Sequence, residues 1–128
     1  MNIAVILAGG SGTRLGNDIP KQFLKVAGKK VLEHTIEVFE NAKNIDEICI
    51  VSRMDCITDV ESIVVNNGYL KVKKILAGGK ERYDSSLAAI HAYPDGNHNL
   101  LFHDAVRPLL TERIINDCLS ALEKYNAV

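Results

Sequence analysis

The sequence lacks several features that would point to a membrane or to a nucleic acid. It has no tryptophan, and aromatic residues make up only 5% of it. No apolar run approaches the roughly 18 residues of a membrane-spanning helix. The 16 acidic and 15 basic side chains nearly balance, so no overall positive field attracts a nucleic acid. The first residues also lack the pattern of a signal peptide, and we expect a cytoplasmic protein with no membrane and no nucleic-acid partner.

Cysteine is scarce as well. Cys49, Cys56 and Cys118 are widely spaced and form no C-x-x-C motif. Such thiols in a cytoplasmic chain are typically buried and free, and we favour that interpretation over a metal site or a disulfide. Apolar residues make up 47% of the 128 positions, which is enough for one core. We therefore expect residues 1–128 to form a single domain.

Short apolar runs alternate with segments of helical period along the whole chain. The predicted strands are 3–7, 47–52, 72–76 and 99–103, and the predicted helices are 31–43, 55–67, 82–93 and 111–125. This alternation predicts an α/β fold with a mainly parallel sheet, helices on both faces and three layers. Ligands of such sheets bind beyond the carboxyl ends of the strands.

Single residues refine these helices. Asp55 is the expected N-cap of the second helix, and Gly68 is expected to end it. In the third helix we expect Leu87, Ile90 and Tyr83 to face inward.

A glycine-rich turn follows the first predicted strand. Four of the nine residues 8–16 are glycine, so backbone N–H groups can point outward and bind an anion. Arg14 and Lys21 add fixed positive charge, and we interpret the turn as a triphosphate site. The alternative is a glycine-rich connection without a ligand. A dinucleotide-binding oxidoreductase is disfavoured because Leu15 interrupts its glycine fingerprint, and the Walker-A pattern is absent.

Lys21 lies just beyond this turn. Turn-forming residues precede it, and Pro20 favours extended backbone, so Lys21 is predicted on a loop that folds back over the same cavity. The alternative is a solvated surface lysine.

Two later segments also follow predicted strands. Gly78 and Gly79 precede a helix whose first turns hold Arg82 and Ser85, and a helix N-terminus attracts anions. The alternative is an ordinary capped helix start.

His103, Asp104 and Arg107 follow the fourth strand. A carboxylate on the ligand edge suits a Mg²⁺ that also binds substrate phosphates. The alternative is an Asp–Arg pair that shapes the turn. We expect His103 to be structural rather than a catalytic base.

Together these stretches resemble a known family. The motifs are LAGGSGTRLG (7–16), PKQFL (20–24), GGKERYDS (78–85) and HDAVRP (103–108). In this order they resemble the cytidylyltransferases that make CDP-alcohols from methylerythritol 4-phosphate or ribitol 5-phosphate. Sugar-1-phosphate nucleotidyltransferases share a related turn, but Gln22-Phe23 favours the cytidylyl branch. Leu7-Ala8-Gly9-Gly10 is more similar to the ribitol enzymes.

The resemblance implies a role for each matching residue. The residues that it assigns to the nucleotide CTP are Leu7, Ala8, Gly9, Gly10, Gly79, Arg82 and Ser85. It implies that Arg14 and Lys21 are catalytic and stabilise charge on the α-phosphate. It implies Mg²⁺ as the cofactor, held by Asp104.

The resemblance also implies a Rossmann-like nucleotidyltransferase fold and a reaction. A polyol phosphate would attack CTP, giving a CDP-alcohol and pyrophosphate for isoprenoid or teichoic-acid biosynthesis. Family members are longer than this chain, so we expect the N-terminal nucleotide-binding part of a longer cytidylyltransferase, which would be a homodimer. A nucleotide-binding module without catalysis remains an alternative.

Overall fold

The computed structural model describes residues 1–9, 20–107 and 110–127. The strands are β1 (Asn2–Ala8), β2 (Lys25–Val26), β3 (Lys29–Lys30), β4 (Glu47–Ser52), β5 (Val72–Ala77) and β6 (Asn99–Asp104). The helices are α1 (Val31–Glu40), α2 (Ile57–Asn67), α3 (Arg82–Ala92) and α4 (Glu112–Leu122). The four strands and four helices predicted from the sequence are therefore confirmed, with their ends shifted by a few residues.

The main sheet is parallel throughout, in the order β5–β4–β1–β6. From β1 the chain moves outward through β4 to β5, and then returns to the other side of β1 to form β6. The connections therefore change direction between β1 and β6. In doubly wound sheets this switch point opens the crevice in which ligands bind.

Helices cover both faces of the sheet, which gives the predicted three layers. On one face, Leu32, Phe39, Val60 and Ile115 of α1, α2 and α4 join a single buried cluster. On the other face, Ala89 of α3 packs against the second cluster. Residues of β1 alternate between the two clusters, which explains why its sequence is a continuous apolar run.

The buried face of α3 consists of residues other than those predicted. Tyr83 is 70% exposed and Ile90 45% exposed, whereas Ser85 and Ala89 are buried. Small residues four positions apart let α3 approach the sheet closely. The inward face therefore consists of small side chains, and the prediction from hydrophobicity alone was wrong for Tyr83 and Ile90.

The ends of α2 give one correction and one confirmation. Asp55 is not the N-cap, because it lies in a short 3₁₀ turn (Met54–Cys56) and pairs with Arg53. Cys56 occupies the N-cap position and makes no side-chain capping bond. Gly68 ends the helix in the left-handed conformation, with φ of 65°, as predicted.

A small hairpin that the sequence pattern did not indicate precedes α1. Strands β2 and β3 pair antiparallel, and Ala27 and Gly28 both have positive φ, as a two-residue hairpin turn requires. Lys25 and Lys29 are exposed, so the hairpin has no apolar alternation by which to recognise it.

Two of the three cysteines behave as predicted. Cys49 and Cys56 are buried, Cys118 is half-buried, and all three are free thiols. Burial raises the pKa of the Cys49 thiol to about 11. Among the described helices, none has the length and apolar character needed to cross a bilayer.

The two borders of the sheet differ in character. At one border, β5 carries the adjacent lysines Lys73 and Lys74. At the other, β6 has only β1 as a partner in the described part of the chain. An open groove of about 580 Å³ runs beside β6, and Leu100, Phe102 and Ile114 are among its lining residues.

Glu37 of α1 gives the fold a pH-dependent contact. Its carboxylate accepts hydrogen bonds from Lys29 Nζ at 2.6 Å and from the Tyr69 hydroxyl at 2.7 Å. Burial alone would raise the pKa of Glu37, but the bonds from Lys29 and Tyr69 outweigh it and hold the pKa below its usual 4.5. A carboxyl with a lowered pKa stabilises the fold above its unfolded-state pKa, and this stability is lost as the pH falls.

We expect Glu37→Gln to lower the free energy of unfolding by about 1–2 kcal/mol at neutral pH. Urea denaturation at stepwise lower pH should show the difference from wild type shrinking below about pH 4.5. Glu61→Gln, at an exposed position of α2, is the matched control and should change little. A Glu37 effect that does not vary with pH would contradict this account.

Candidate functional site

The carboxyl ends of the four parallel strands meet at one edge of the sheet. In the strand register, Ala8 of β1 lies opposite Ser52 of β4, and Leu7 lies opposite Asp104 of β6. Hydrogen bonds continue this alignment past the strand ends. The N–H of Gly78 donates to the carbonyl of Ser52 at 2.8 Å, and that of Ala105 to the carbonyl of Leu7 at 3.0 Å.

Ser85 lies at the centre of this edge. It is buried in the first turns of α3, although serine is usually exposed. A Cβ atom at Gly9 would lie 3.1 Å from its Oγ, and a Cβ atom at Gly78 would lie only 2.4 Å away. The two glycines therefore leave the space that the Ser85 hydroxyl occupies between the ends of β1 and β5.

Gly79 permits a second close approach. A Cβ atom there would lie 2.3 Å from the Cβ atom of Asp84, so a larger residue would push the loop away from α3. Asp84 also accepts a hydrogen bond from the backbone N–H of Glu81 at 3.2 Å, which fixes the start of the helix. The glycine pair is thus needed to seat the β5–α3 loop on the helix N-terminus.

Asp104 connects the loops after β5 and β6. Its carboxylate accepts a hydrogen bond from Arg82 at the start of α3, and Arg107 Nε lies 3.2 Å from its second oxygen. The side chain of Asp104 is 21% exposed, whereas that of Arg82 is 61% exposed. The predicted Asp–Arg pair is therefore present and includes a second arginine.

The Mg²⁺ site that the resemblance implies at Asp104 stays a prediction, and only the donor chemistry of this residue bears on it. Among the described residues, no group of three or more His, Cys, Asp or Glu side chains could form an all-protein metal site. Mg²⁺ usually keeps several waters and needs only one or two carboxylates beside the phosphates. Asp104 can supply one carboxylate oxygen where Arg82 turns away, while Arg107 stays paired with the second oxygen.

Gln22 is a site residue whose contact sequence reasoning missed. It is buried, and its amide donates to the carbonyl of Ala8 at 3.1 Å. This bond ties the 3₁₀ turn Lys21–Phe23 to the end of β1, and so holds the backbone of half-buried Lys21 close to that strand end. The sequence alone carries no signal of this contact, because the need of the amide for a partner follows from its burial in the folded protein.

Residues of α1 hold the end of β6 and the loop that follows it in place. Thr35 of α1 donates from its hydroxyl to the carbonyl of Ala105 at 2.9 Å. The His103 ring contacts the carbonyl of Arg107 at 2.7 Å and packs edge-to-face on Phe39. His103 therefore has structural partners, in agreement with the prediction.

Comparison with known proteins identifies the family of this fold and site. A family model described as 2-C-methyl-D-erythritol 4-phosphate cytidylyltransferase matches residues 2–128. The chain belongs to this cytidylyltransferase family. The resemblance inferred from the four motifs is thereby confirmed, and the family is a class of nucleotidyltransferase enzymes.

Curated relatives include both kinds of CDP-alcohol enzyme. The chain is 53% identical to the bifunctional ribulose 5-phosphate reductase/CDP-ribitol pyrophosphorylase of Haemophilus influenzae, over 99% of the chain and 27% of that protein. It is 35% identical to the 2-C-methyl-D-erythritol 4-phosphate cytidylyltransferase of Lachnospira eligens, over 99% of the chain and 56% of that protein. The chain thus spans little more than half of one relative and about a quarter of the other.

Solved structures agree with the fold. The 4-diphosphocytidyl-2C-methyl-D-erythritol synthase of Anaerococcus prevotii superposes with a TM-score of 0.80 at 31% identity, covering 96% of this chain and 51% of that one. A CMP:2-keto-3-deoxy-manno-octonic acid synthetase superposes with a TM-score of 0.73 at 18% identity, covering 99% of this chain and 49% of that one, and this likeness supports the fold alone. The predicted nucleotidyltransferase fold is therefore confirmed.

The structure brings some of the family motif residues together. Gly9 and Ser85 approach each other between β1, β5 and α3, Gly79 lies against Asp84 at the start of α3, and Arg82 pairs with Asp104. Their predicted contacts with a nucleotide and with Mg²⁺ stay predictions. Arg14 and Gly10 lie outside the described residues.

Leu7 and Ala8, the first two residues of the first motif, have their carbonyl groups hydrogen-bonded within the protein. The side chain of Leu7 is in the core, and its carbonyl accepts from Ala105. The carbonyl of Ala8 accepts from Gln22. These backbone acceptors are used within the fold, and the predicted contacts of Leu7 and Ala8 with the nucleotide stay predictions.

Proposed function

We propose that this chain forms the CTP site of a cytidylyltransferase that transfers CMP to a polyol phosphate and releases pyrophosphate. One observation carries the proposal: glycines at two strand ends leave room for a buried serine at a helix N-terminus, beside a tethered lysine loop. Backbone N–H groups and a helix N-terminus favour a polyphosphate at such a place.

The chemistry asks the protein for alignment and charge rather than for a strong base. The attacking phosphate of the acceptor is already an anion, and negative charge builds up at the α-phosphate of CTP. We propose that Lys21 and Arg14 stabilise that charge. When bound, Mg²⁺ supplies further neutralisation of phosphate charge, and Asp104 is the residue that would hold it. Arg82 would then leave Asp104 and become available to the nucleotide.

We propose ribitol 5-phosphate as the acceptor. Support comes from the 53% identity to an enzyme named a CDP-ribitol pyrophosphorylase, against 34–40% for relatives named methylerythritol phosphate cytidylyltransferases. The Leu-Ala-Gly-Gly opening of the first motif points the same way.

The test is pyrophosphate release by the chain with CTP, Mg²⁺ and one acceptor at a time. We expect release with ribitol 5-phosphate, slower release with methylerythritol 4-phosphate, and none with CTP alone. CTP binding without release under any condition would instead support a nucleotide-binding module without catalysis. If the protein neither binds CTP nor releases pyrophosphate, this result contradicts the proposed function.

A further inference from the structure

Arg53 stands at the middle of the carboxyl edge, directly after β4. The residue before it, Ser52, lies opposite both Ala8 of β1 and Ala77 of β5 in the strand register. The carbonyl of Ser52 accepts the N–H of Gly78. Arg53 therefore follows the central strand of the three whose ends surround Ser85.

Arg53 is also close to Gly9, the glycine that directly follows β1. A Cβ atom at Gly9 would lie 3.8 Å from the carbonyl carbon of Ser52, and that carbon is bonded to the backbone nitrogen of Arg53. The backbone of Arg53 is thus in contact range of the residue that opens the candidate triphosphate site.

Asp55 holds the planar guanidinium of Arg53 in one orientation. Nε and Nη2 donate to the two carboxylate oxygens at 3.1 and 2.9 Å. Such a two-bond pairing fixes the orientation of the planar guanidinium. The hydrogen bonds from Arg53 also hold the pKa of Asp55 below its usual range, so the carboxylate stays charged at neutral pH.

The third nitrogen of this guanidinium has no partner. Only 20% of the Arg53 side chain is exposed, and Nη1 is buried. In the part of the chain that the structure describes, it is the one buried side-chain nitrogen or oxygen without a hydrogen bond. An arginine cannot lose its proton, and a buried charged donor without an acceptor is costly. An acceptor supplied by a ligand would remove that cost.

We propose that Nη1 of Arg53 donates a hydrogen bond to an oxygen of the nucleotide bound at this edge, which makes Arg53 a nucleotide-binding residue. This inference rests on the proposed function, because it takes CTP as the ligand. CTP offers two kinds of acceptor to a guanidinium, the phosphate oxygens and the carbonyl oxygen of cytosine. The shared chemistry is an acceptor oxygen, and the ligand series below separates the two sources.

A purely structural role for Arg53 makes a different prediction. If the side chain only fixed the 3₁₀ turn through Asp55, then its removal would lower the stability of the protein without nucleotide. A nucleotide-binding role instead lowers affinity in a protein that unfolds at nearly the same temperature as wild type.

The experiment is calorimetric titration of CTP and of cytidine into wild type, Arg53→Met and Arg113→Met. Arg113 is the matched control, because it is 90% exposed on α4. Its neighbour Glu112 bonds the backbone of Lys43 before β4, at the opposite edge of the sheet. We expect Arg53→Met to bind CTP at least about tenfold more weakly, as for a lost charged hydrogen bond, and Arg113→Met to bind like wild type.

The ligand series assigns the acceptor. Equal weakening for cytidine and CTP places it on the nucleoside, and weakening for CTP alone places it on the phosphates. Thermal unfolding of each variant without nucleotide accompanies the titrations. If Arg53→Met does not fold, Arg53→Lys replaces it, and we expect this variant to fold and still bind CTP more weakly, because lysine cannot form the planar fork.

Two outcomes overturn the inference, and they are distinguishable from each other. If wild type binds CTP and the folded Arg53 variants bind it equally well, then Arg53 makes no contact with the nucleotide, while the proposed function stands. If wild type itself binds no CTP, then the proposed function fails and the inference fails with it.

Discussion

A Lys21→Ala variant is expected to transfer CMP about 10²–10³-fold more slowly than wild type, while its affinity for CTP changes far less. The reason is geometric. Lys21 begins a 3₁₀ turn that the buried amide of Gln22 fastens to the carbonyl of Ala8, so the backbone of Lys21 is held close to the end of β1. A charge placed in this way contributes most when negative charge builds up on the α-phosphate, and less when CTP only binds.

Steady-state pyrophosphate release and CTP titration together check this expectation. Lys25→Ala is the matched control, since Lys25 is exposed in the hairpin a few residues further on. It should keep the wild-type rate. Arg14→Ala should show the same loss as Lys21→Ala. Wild-type turnover by Lys21→Ala would show that the charge of this lysine is not part of the reaction.

Phe39→Ala is expected to lower the free energy of unfolding by about 3–5 kcal/mol. Phe39 on α1 is 1% exposed and lies in the larger core cluster. Its ring also packs edge-to-face on His103, at a centroid distance of 5.9 Å. Truncation would leave a cavity beneath the loop after β6, so the loop that carries Asp104 should loosen as well.

Urea denaturation followed by circular dichroism measures the loss. Phe102→Ala is the matched control, because Phe102 has the same side chain but is 38% exposed on β6. We expect it to cost about 1 kcal/mol or less, in line with its exposure. Similar losses for the two variants would contradict the assignment of Phe39 to the core.

The sequence was most informative where one local pattern decides the structure. Strand β1 is a continuous apolar run because both of its faces are buried, and α1 shows its buried stripe through Leu32, Ile36 and Phe39. The inward face of α3 could not be predicted in this way. There the sheet requires small residues for close packing, so Ala89 is buried while the larger Tyr83 is exposed.

The candidate site was predictable in its residue types but not in its contacts. Glycines and Ser85 after strand ends indicate a nucleotide site, and the structure brings them together. The contacts of Gln22 and Arg53 depend on residues distant in the sequence or on burial, and neither can be read from a motif. The hydrogen bond from Gln22 to Ala8 spans fourteen positions, and the buried nitrogen of Arg53 is visible only once the edge is folded.

The contrast between the two border strands, β5 and β6, indicates at which side a further strand can extend the sheet. Lysines on β5 discourage another strand from pairing there, as charged residues do on many edge strands. The sequence of β6, NLLFHD, has no lysine and no proline, and its groove is largely apolar. A further strand would therefore pair more readily with β6 than with β5. Such a strand would lie beside Asp104, which is the last residue of β6.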